Sequence, residues 1–298
     1  MESKSAFRSG FVAILGRPNV GKSSIMNHFV GEKVAIVSNH PQTTRSRLLG
    51  VATRPDWQIV FVDTPGLHKP RTRLGEYMVK AANDAREGVD AVLAVVDGQY
   101  IGAGDRAVLE DIAGMSCPKF LAVNKIDLCA PEKLMPELQK LNDCGFDRIV
   151  CVSAKRGDRM DELLNMLAGA MPEGPKYFPD DMMTDQPERV LCAEIIREKA
   201  LWCLRDEVPH GVGVEMLSIR QVRPGLTEIH ANLYCERASH KAIIIGKRGA
   251  MLGAIGAAAR KDIERLLDTQ VLLKLWVKVR EDWRNRAGDL RALGYEDD

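Results

Sequence analysis

Residues 16 to 23 read Gly-Arg-Pro-Asn-Val-Gly-Lys-Ser, and this stretch decides the fold. It fits the phosphate-binding pattern G-x-x-x-x-G-K-[ST] at every fixed position. A continuous apolar run of strand length, residues 11 to 15, precedes it, and residues 24 to 30 follow with apolar side chains at helical spacing. A strand before the loop and a helix after it are the context that the motif requires. These flanks disfavour a chance match in a glycine-rich turn.

The loop predicts a nucleoside triphosphate site. In such a loop the backbone N–H groups point at the β-phosphate, the lysine reaches the β- and γ-phosphates, and the serine hydroxyl binds Mg²⁺. We therefore assign nucleotide contact to the whole loop and to the residue after it. These residues are Gly16, Arg17, Pro18, Asn19, Val20, Gly21, Lys22, Ser23 and Ser24.

Short apolar runs alternate with amphipathic segments through the first half of the chain. The runs 58–62, 91–96, 119–123 and 148–152 predict buried parallel strands, and the segments 75–88, 105–113, 131–144 and 160–171 predict helices. This alternation predicts an α/β fold, a doubly wound P-loop domain. In such a fold the ligand lies at the carboxyl ends of the strands.

The composition changes at residues 172–187, PEGPKYFPDDMMTDQP, which predict a linker. A helical pattern follows at 188–207, then strand-like runs at 214–222 and 226–236, a helix–loop–helix around 246–249 and an alternating strand at 270–279. The order α, β, β, α, α, β predicts a smaller α+β domain. We place the nucleotide domain at 1–172, the linker at 173–187 and the second domain at 188–298.

Length and composition agree with two domains, because 298 residues exceed one typical domain. The formal net charge is only +1, yet residues 237–286 hold 12 basic and 5 acidic residues. That excess suits a polyanion, with a solvated helix face as the alternative. The seven cysteines contain no C-x-x-C pair, which favours reduced thiols over disulfides or zinc. We expect a soluble cytoplasmic protein, since neither a signal peptide nor a membrane-length apolar run is evident.

Asp63-Thr64-Pro65-Gly66 follows the second apolar run. Its carboxylate could hold the hydration shell of Mg²⁺, and its glycine N–H could meet a γ-phosphate. Alone, this sequence would be an ordinary turn. In register with the phosphate loop it predicts part of a nucleotide site.

Asn124-Lys125-Ile126-Asp127 follows the run at 119–123 and predicts base selection. A carboxylate at Asp127 can accept hydrogen bonds from guanine N1–H and the 2-amino group. Adenine lacks both donors and would leave the carboxylate unpaired, which is costly. The motif therefore favours GTP over ATP.

Ser153-Ala154-Lys155 follows the last apolar run of the first half. A backbone N–H here could meet guanine O6, and Lys155 could pack near the base. This signal is weak alone and useful only in register with the other motifs.

Gln42-Thr43-Thr44-Arg45 lies between the phosphate loop and Asp63. In a nucleotide switch, a threonine hydroxyl here completes the Mg²⁺ shell only when γ-phosphate is present. We favour Thr44, with Thr43 as a close alternative. The neutral interpretation is two threonines on a strand edge. The predicted metal set is Ser23, Thr44 and Asp63.

The candidate catalytic residues are Lys22, Thr44, Gly66 and Asn19. Leu67 stands where many GTPases have a glutamine that orients water, so we expect slow hydrolysis that needs a backbone, water or cation contribution. Asn19, with carbonyls of residues 43 and 44, could hold K⁺ beside the phosphates. The equal alternative is that Asn19 only shapes the loop through hydrogen bonds to its own backbone.

With these motifs in order, the first half resembles the translation-factor-like class of small GTPases. Further segments extend the likeness over nearly the whole chain, which resembles the Era family of bacterial GTPases. They are PQTTR (41–45), LHKP (67–70), TDQPER (184–189), IREK (196–199) and WVKVREDWR (276–284). The resemblance implies a monomeric GTP-hydrolysing switch, using GTP/GDP and Mg²⁺, that binds the 3′ end of 16S ribosomal RNA and assists 30S subunit assembly. It also adds an expectation of peripheral association with the cytoplasmic face of the inner membrane.

In that light Gly246-Lys247-Arg248-Gly249 is the G-x-x-G loop of a KH domain. Its glycines let the backbone approach RNA phosphates, its two cations supply charge, and the groove beside it holds about four nucleotides. Alone, the pattern is more often a helix break. The apolar residues around the loop are expected in the core first and along the groove second; they are Ile243, Ile244, Ile245, Met251, Leu252 and Ile255.

Two alternative functions remain open at this point. One is a nucleotide-dependent metabolic kinase with an appended domain, which ATP preference would favour. The other is an RNA-binding protein whose nucleotide site is structural, which repeated GTP turnover stimulated by RNA would contradict.

Overall fold

The computed structural model describes residues 6–38, 43–65, 72–84, 88–204 and 208–295. The chain divides into two compact units. The N-terminal unit comprises Met1–Val37, Thr44–Lys69 and Met78–Asp185, and the C-terminal unit comprises Ser38–Thr43, Pro70–Tyr77 and Gln186–Asp298. Most of the predicted linker thus belongs to the N-terminal unit.

The N-terminal unit is built on a six-stranded sheet in the order β2-β3-β1-β4-β5-β6. Its strands are β1 (Arg8–Leu15), β2 (Leu48–Thr53), β3 (Trp57–Asp63), β4 (Ala91–Asp97), β5 (Lys119–Asn124) and β6 (Arg148–Cys151). The five predicted strands pair in parallel, as expected. Strand β2 was not predicted and runs antiparallel to β3 at the sheet edge.

Five helices alternate with these strands: α1 (Lys22–Val30), α2 (Arg73–Asp84), α3 (Ala103–Ala113), α4 (Pro131–Leu141) and α5 (Met160–Ala170). Alternate residues of β1 enter two separate cores. Val12 and Ile14 pack in one core with α1 and α5, while Ala13 and Leu15 pack in the other with α3 and α4. The sheet is therefore covered on both faces, which explains why its strands read as continuous apolar runs.

Residues 172–185 have no helix or strand, as the composition predicted, but they are anchored to the sheet of the N-terminal unit. The Gln58 carboxamide oxygen accepts N–H bonds from Tyr177 (2.8 Å) and Phe178 (3.0 Å). Further along, the N–H of Val51 donates to the Met183 carbonyl at 2.8 Å. This segment supplies hydrogen bonds to the free edge of β2, so it is a strap rather than a loose tether.

The C-terminal unit contains α6 (Glu188–Cys203), β7 (Gly213–Arg223), β8 (Leu226–Cys235), α7 (Ala238–Ile245), α8 (Ala250–Leu267), β9 (Gln270–Val279) and α9 (Ala287–Ala292). The sheet order is β7-β8-β9, with β7 antiparallel and β9 parallel to β8. The predicted element order is confirmed, and α9 was not predicted. Helix α6 stops at Cys203 and not at residue 207, because Leu204 is extended and turns into the core with Val208.

In the parts of the chain described, no single helix has the length and apolarity to cross a membrane; one bent pair, Ala238–Ile245 with Lys247–Leu267, meets the criterion by length and composition only.

Candidate functional site

The phosphate-binding loop joins the end of β1 to the start of α1. Gly16, Asn19 and Gly21 have positive φ angles of 149°, 65° and 102°. A Cβ on Gly16 would lie 2.4 Å from the Val95 carbonyl oxygen, and one on Gly21 would lie 2.2 Å from Asn124 Nδ2. Both glycines are therefore required by space as well as by backbone conformation. Asparagine is among the few other residues that tolerate this region, which accounts for Asn19.

Lys22 lies over the loop that precedes it. Its side chain is buried, and Nζ donates to the carbonyls of Gly16 (3.1 Å) and Arg17 (3.2 Å). Helix α1 begins at this residue, and its N-cap, Gly21, supplies no side-chain hydrogen bond to the first turn. The helix N-terminus and the ammonium group together form a positive concave site that suits a phosphate.

The three predicted metal-binding residues lie together at the carboxyl end of β3. The Ser23 hydroxyl donates to Asp63 Oδ2 at 2.7 Å, and Thr44 Oγ1 lies 3.0 Å from Ser23 Oγ and 3.3 Å from Asp63 Oδ2. The hydroxyl of Thr43 instead bonds with that of Ser38 at 2.9 Å. Of the two threonines, Thr44 is the one whose hydroxyl joins this cluster.

Asp63 and Lys22 shape the electrostatics of the cluster. Burial raises the pKa of the Asp63 carboxyl, while the nearby Lys22 charge opposes that rise. Burial likewise lowers the pKa of Lys22, and Asp63 opposes that change. Each charge has lost most of its hydration and is partly compensated by the other.

The donor set fits Mg²⁺. Asp63 is fully buried, and its Oδ1 has no hydrogen-bond partner among the described residues. An orphaned carboxylate oxygen beside two hydroxyls is a set of hard oxygen donors, the type that Mg²⁺ prefers. No group of three or more His, Cys, Asp or Glu side chains with metal-site geometry occurs in the described ranges.

Asn124 connects the phosphate loop to the loop after β6. Its Nδ2 donates to the Val20 carbonyl at 2.9 Å, and its Oδ1 accepts the Ala154 N–H at 3.0 Å. The asparagine therefore works as a crosslink between two loops, and sequence reasoning had assigned it only to base recognition.

Lys125 and Asp127 extend from the same segment. Lys125 has a φ of 64°, and its Nζ donates to the Asn19 carbonyl (2.7 Å) and to Asp97 Oδ2 (2.6 Å). The Ser153 hydroxyl donates to Asp127 Oδ1 at 2.7 Å. Asp97 was missed by sequence reasoning; its only signal was its position at the end of β4, level with Asn124.

The remaining predicted contact residues differ in surroundings. Val20 and Thr64 are buried, and the Thr64 hydroxyl donates to the Ile14 carbonyl at 3.1 Å. Arg17 pairs with Asp105 at 3.3 Å. Pro18, Ser24 and Ala154 are half-buried, Pro65 is buried and Lys155 is exposed. Gly66, Leu67 and Gln42 lie outside the described residues.

The G-x-x-G loop joins α7 to α8 in the C-terminal unit. Gly246, Arg248 and Gly249 have positive φ angles of 73°, 53° and 81°, and the side chains of Lys247 and Arg248 are exposed. A Cβ on Gly246 would lie 2.7 Å from Met251 Cβ, whereas one on Gly249 would meet nothing within 4 Å. Gly246 is thus needed because a side chain there would clash with Met251. At Gly249, the space next to the start of α8 is unoccupied by other described residues.

A groove of about 400 Å³ begins at Gly249 and runs between α8 and β9. Its α8 wall carries small residues, Gly253, Gly256 and Ala257, which the sequence had not marked, together with Leu252. The β9 wall is apolar. Ile244 and Ile255 are fully buried, in agreement with a core position, while Ile243 is 48% exposed.

Comparisons with known proteins agree with both sites. The family described as 50S ribosome-binding GTPase matches residues 11–125, and the KH domain family matches residues 207–284. Fold and sites together define a P-loop GTPase joined to a KH domain.

Relatives of this class match over the full chain. The GTPase Era proteins of Alkaliphilus metalliredigens and Clostridioides difficile are 52% and 51% identical; each alignment covers 98% of this chain and 100% or 99% of the relative. Two solved structures cover 97% of this chain and 99% of their own. One is a variant of Aquifex aeolicus Era bound to GDP and AlF₄⁻ (37% identity, TM-score 0.92). The other is Era with MgGDPNP and nucleotides 1506–1542 of 16S ribosomal RNA (39%, 0.91). This chain belongs to the GTPase Era family.

Proposed function

We propose that this protein is a GTP-controlled switch that binds the 3′ end of 16S ribosomal RNA and assists assembly of the 30S subunit. The observation that carries the proposal is the presence of two built sites in one chain, a guanine-type nucleotide site and a G-x-x-G loop beside a groove. Family membership supports GTP hydrolysis and disfavours the kinase alternative. The relative bound to nucleotides 1506–1542 supports the identity of the RNA.

In the nucleotide site, backbone N–H groups of the loop at residues 16–24, other than that of Pro18, and the ammonium of Lys22 bind the phosphates. Lys22 lies directly above the loop, so its charge is available to the γ-phosphoryl group as water attacks. The N–H of Gly66 is the second proposed contact. Asp127, held by Ser153, accepts the two guanine donors, and Lys155 covers the base.

Ser23, Thr44 and Asp63 are the residues that would hold Mg²⁺. The ion, when bound, neutralises charge on the phosphate oxygens. Thr44 joins the other two only through its hydroxyl, so it is suited to sense the γ-phosphate and to be released after hydrolysis.

Two interpretations of Asn19 remain: it shapes the phosphate loop, or it coordinates potassium. Its positive φ favours a part in shaping the loop. Potassium coordination remains the alternative, although the Thr43 carbonyl already accepts a hydrogen bond from Arg197 within the C-terminal unit. Single-turnover GTP hydrolysis in potassium and in sodium, for the parent and Asn19→Ala, separates them. Faster hydrolysis in potassium that disappears in the variant supports coordination, and equal parent rates refute it.

Residues 246–249 and the groove between α8 and β9 are the proposed RNA site. A groove beside a G-x-x-G loop holds about four nucleotides of single strand, and Lys247 and Arg248 would contact the phosphates. Peripheral membrane association stays a prediction, which flotation with lipid vesicles would test. A monomeric state also stays a prediction, which sedimentation would test, and so does a cytoplasmic location.

The deciding experiment measures binding of RNA 1506–1542 with GDP and with a non-hydrolysable GTP analogue, and GTP turnover with and without that RNA. The proposal expects affinity to depend on the nucleotide and turnover to rise with RNA. An RNA of the same length and scrambled sequence is the control. Equal affinity in both nucleotide states, with no change in turnover, would contradict a GTP-controlled switch.

A further inference from the structure

Strand β9 has two different surfaces. Its residues alternate strictly, so Leu273 and Leu275 line the groove while Lys274, Trp276 and Lys278 lie on the opposite face of the sheet. We call this opposite face, made by Glu228 and His230 of β8 with Lys274, Trp276 and Lys278 of β9, the outer face. Strand β9 is also an edge strand, so a chain that leaves the groove can cross one strand to reach it.

An aromatic side chain stands open at the centre of the outer face. Trp276 is 43% exposed. The His230 ring packs edge-on against the indole, with 5.3 Å between centroids and an interplanar angle of 80°. This contact fixes the orientation of the indole, so the ring is ordered before any ligand arrives. A preordered aromatic surface of this kind suits an unstacked nucleobase.

The charges around Trp276 favour a polyanion. Glu228 is shared by Lys274 (2.7 Å) and Arg220 (3.1 Å), and the Lys274 hydrogen bond lowers the pKa of Glu228 to about 2. One ionised carboxylate thus faces two cations. Lys278, two residues beyond the indole, forms no ion pair with any described residue.

A second carboxylate, Glu215 of β7, lies within electrostatic range of Lys278. Glu215 accepts hydrogen bonds from the Tyr234 hydroxyl (2.6 Å) and from Asn232 (2.9 Å). Against the effect of burial, these donors, followed by the charges of Arg280 and Lys278, lower the pKa of Glu215, so this carboxylate compensates part of the Lys278 charge. The cations next to Trp276 are spaced along β9 at about 7 Å per two residues, so they flank the indole on both sides.

From this arrangement we infer that the outer face is a second RNA-binding surface, which stacks an unpaired base on Trp276 and binds flanking phosphates through Lys274 and Lys278. This inference rests on the proposed function. It extends that function because the groove accommodates about four nucleotides, far fewer than an RNA such as 1506–1542 contains. The single-stranded chain would continue from the groove across β9. A protein partner on this face is the alternative that the test must separate.

The test compares two RNAs on several variants of the full chain. The long RNA is 1506–1542, and the short RNA is a tetranucleotide from its 3′ end that only fills the groove. The variants are Trp276→Ala, Trp276→Phe and Lys278→Ala. Trp202→Ala is the matched control, because Trp202 is also exposed (58%) and lies in α6, not on the outer face.

The inference expects the parent to bind the long RNA more tightly than the short one. Trp276→Ala should weaken long-RNA binding about 5- to 150-fold, the range for loss of one base–aromatic stack. Trp276→Phe should stay close to the parent, and short-RNA affinity should be unchanged, which also verifies that the variants are folded. Lys278→Ala should lower the salt slope for the long RNA by about 0.7.

Indole fluorescence gives a direct signal that does not depend on affinity. The long RNA should quench parent emission, and the quenching should be lost in Trp276→Phe and retained in Trp202→Ala. Three results would overturn the inference: equal losses for both RNAs, no loss for the long RNA, or weaker binding to 30S subunits with long-RNA affinity intact, which indicates a protein partner. In each of these three results the parent protein still binds RNA, so the proposed function stands. If the parent binds neither RNA, the proposed function and the second RNA-binding surface are both refuted.

Discussion

Replacement of Asn124 by alanine tests whether the nucleotide site depends on a crosslink between two loops. The change removes both hydrogen bonds of the carboxamide, to the Val20 carbonyl (2.9 Å) and from the Ala154 N–H (3.0 Å). Asn124 is only 2% exposed, so water does not readily replace these bonds. Val20 belongs to the phosphate loop, and Ala154 belongs to the loop assigned to guanine.

The size of the expected loss follows from the two backbone groups left unpaired, the Val20 carbonyl and the Ala154 N–H. Each buried polar group without a partner costs about 1–3 kcal/mol, so the native arrangement loses about 2–6 kcal/mol. A nucleotide binds the arrangement in which both loops are correctly placed, and the apparent affinity falls with the fraction of molecules in it. Relaxation of the loops recovers part of the loss. We expect Asn124→Ala to lose about 2–4 kcal/mol of nucleotide-binding free energy, which raises Kd about 30- to 1,000-fold.

The assay is titration with a fluorescent GDP analogue. Asn142→Ala is the matched control, because Asn142 is exposed at the end of α4. Asn124→Asp is a second variant of nearly the same shape: it keeps an acceptor for the Ala154 N–H but cannot donate to the Val20 carbonyl. It should therefore lose affinity as well. If Asn124→Ala binds the analogue within about threefold of the control, the crosslink does not support the site and the reasoning is refuted.

Further predictions concern single sites. Asp127→Asn should shift preference from guanine to xanthine nucleotides, because the new amide can donate to a 2-oxo group; competition between GTP and XTP measures it, and unchanged guanine preference would contradict the assignment. Lys22→Ala should weaken GTP binding or turnover by several kcal/mol, since a charge-assisted contact is lost; binding within a few tenths of a kcal/mol of the parent would argue against its position over the phosphates. Replacing Lys247 and Arg248 with Asp should abolish RNA binding at moderate salt and leave RNA-independent GTP hydrolysis intact, because two phosphate contacts become repulsions. Cys192 should be among the slowest thiols to react with a thiol reagent at pH 8, because burial raises its pKa to about 12 and leaves little thiolate; modification at the rate of the half-exposed thiols would show that this core opens readily.

The sequence determined the elements whose signal is local. The loop at 16–23 and the apolar runs at 58–62, 119–123 and 148–152 predicted a parallel sheet with its motifs at one edge, because buried strands and phosphate loops are encoded by neighbouring residues. The order of elements after residue 188 was readable for the same reason. Strand β2, Leu48–Thr53, was missed because its residues, with Gly50 in the middle, show no strict alternation of apolar and polar side chains.

Only the tertiary structure decided which side chains meet. Asn124 contacts Val20 and Ala154 across 104 and 30 residues of sequence, and Lys125 contacts Asp97 across 28. The choice of Thr44 over Thr43 in the hydroxyl cluster likewise depended on which side chain turns toward Asp63. Hydrogen bonds between distant loops leave no periodic pattern in the chain, because they depend on where the sheet brings the loops and not on the spacing of neighbouring residues.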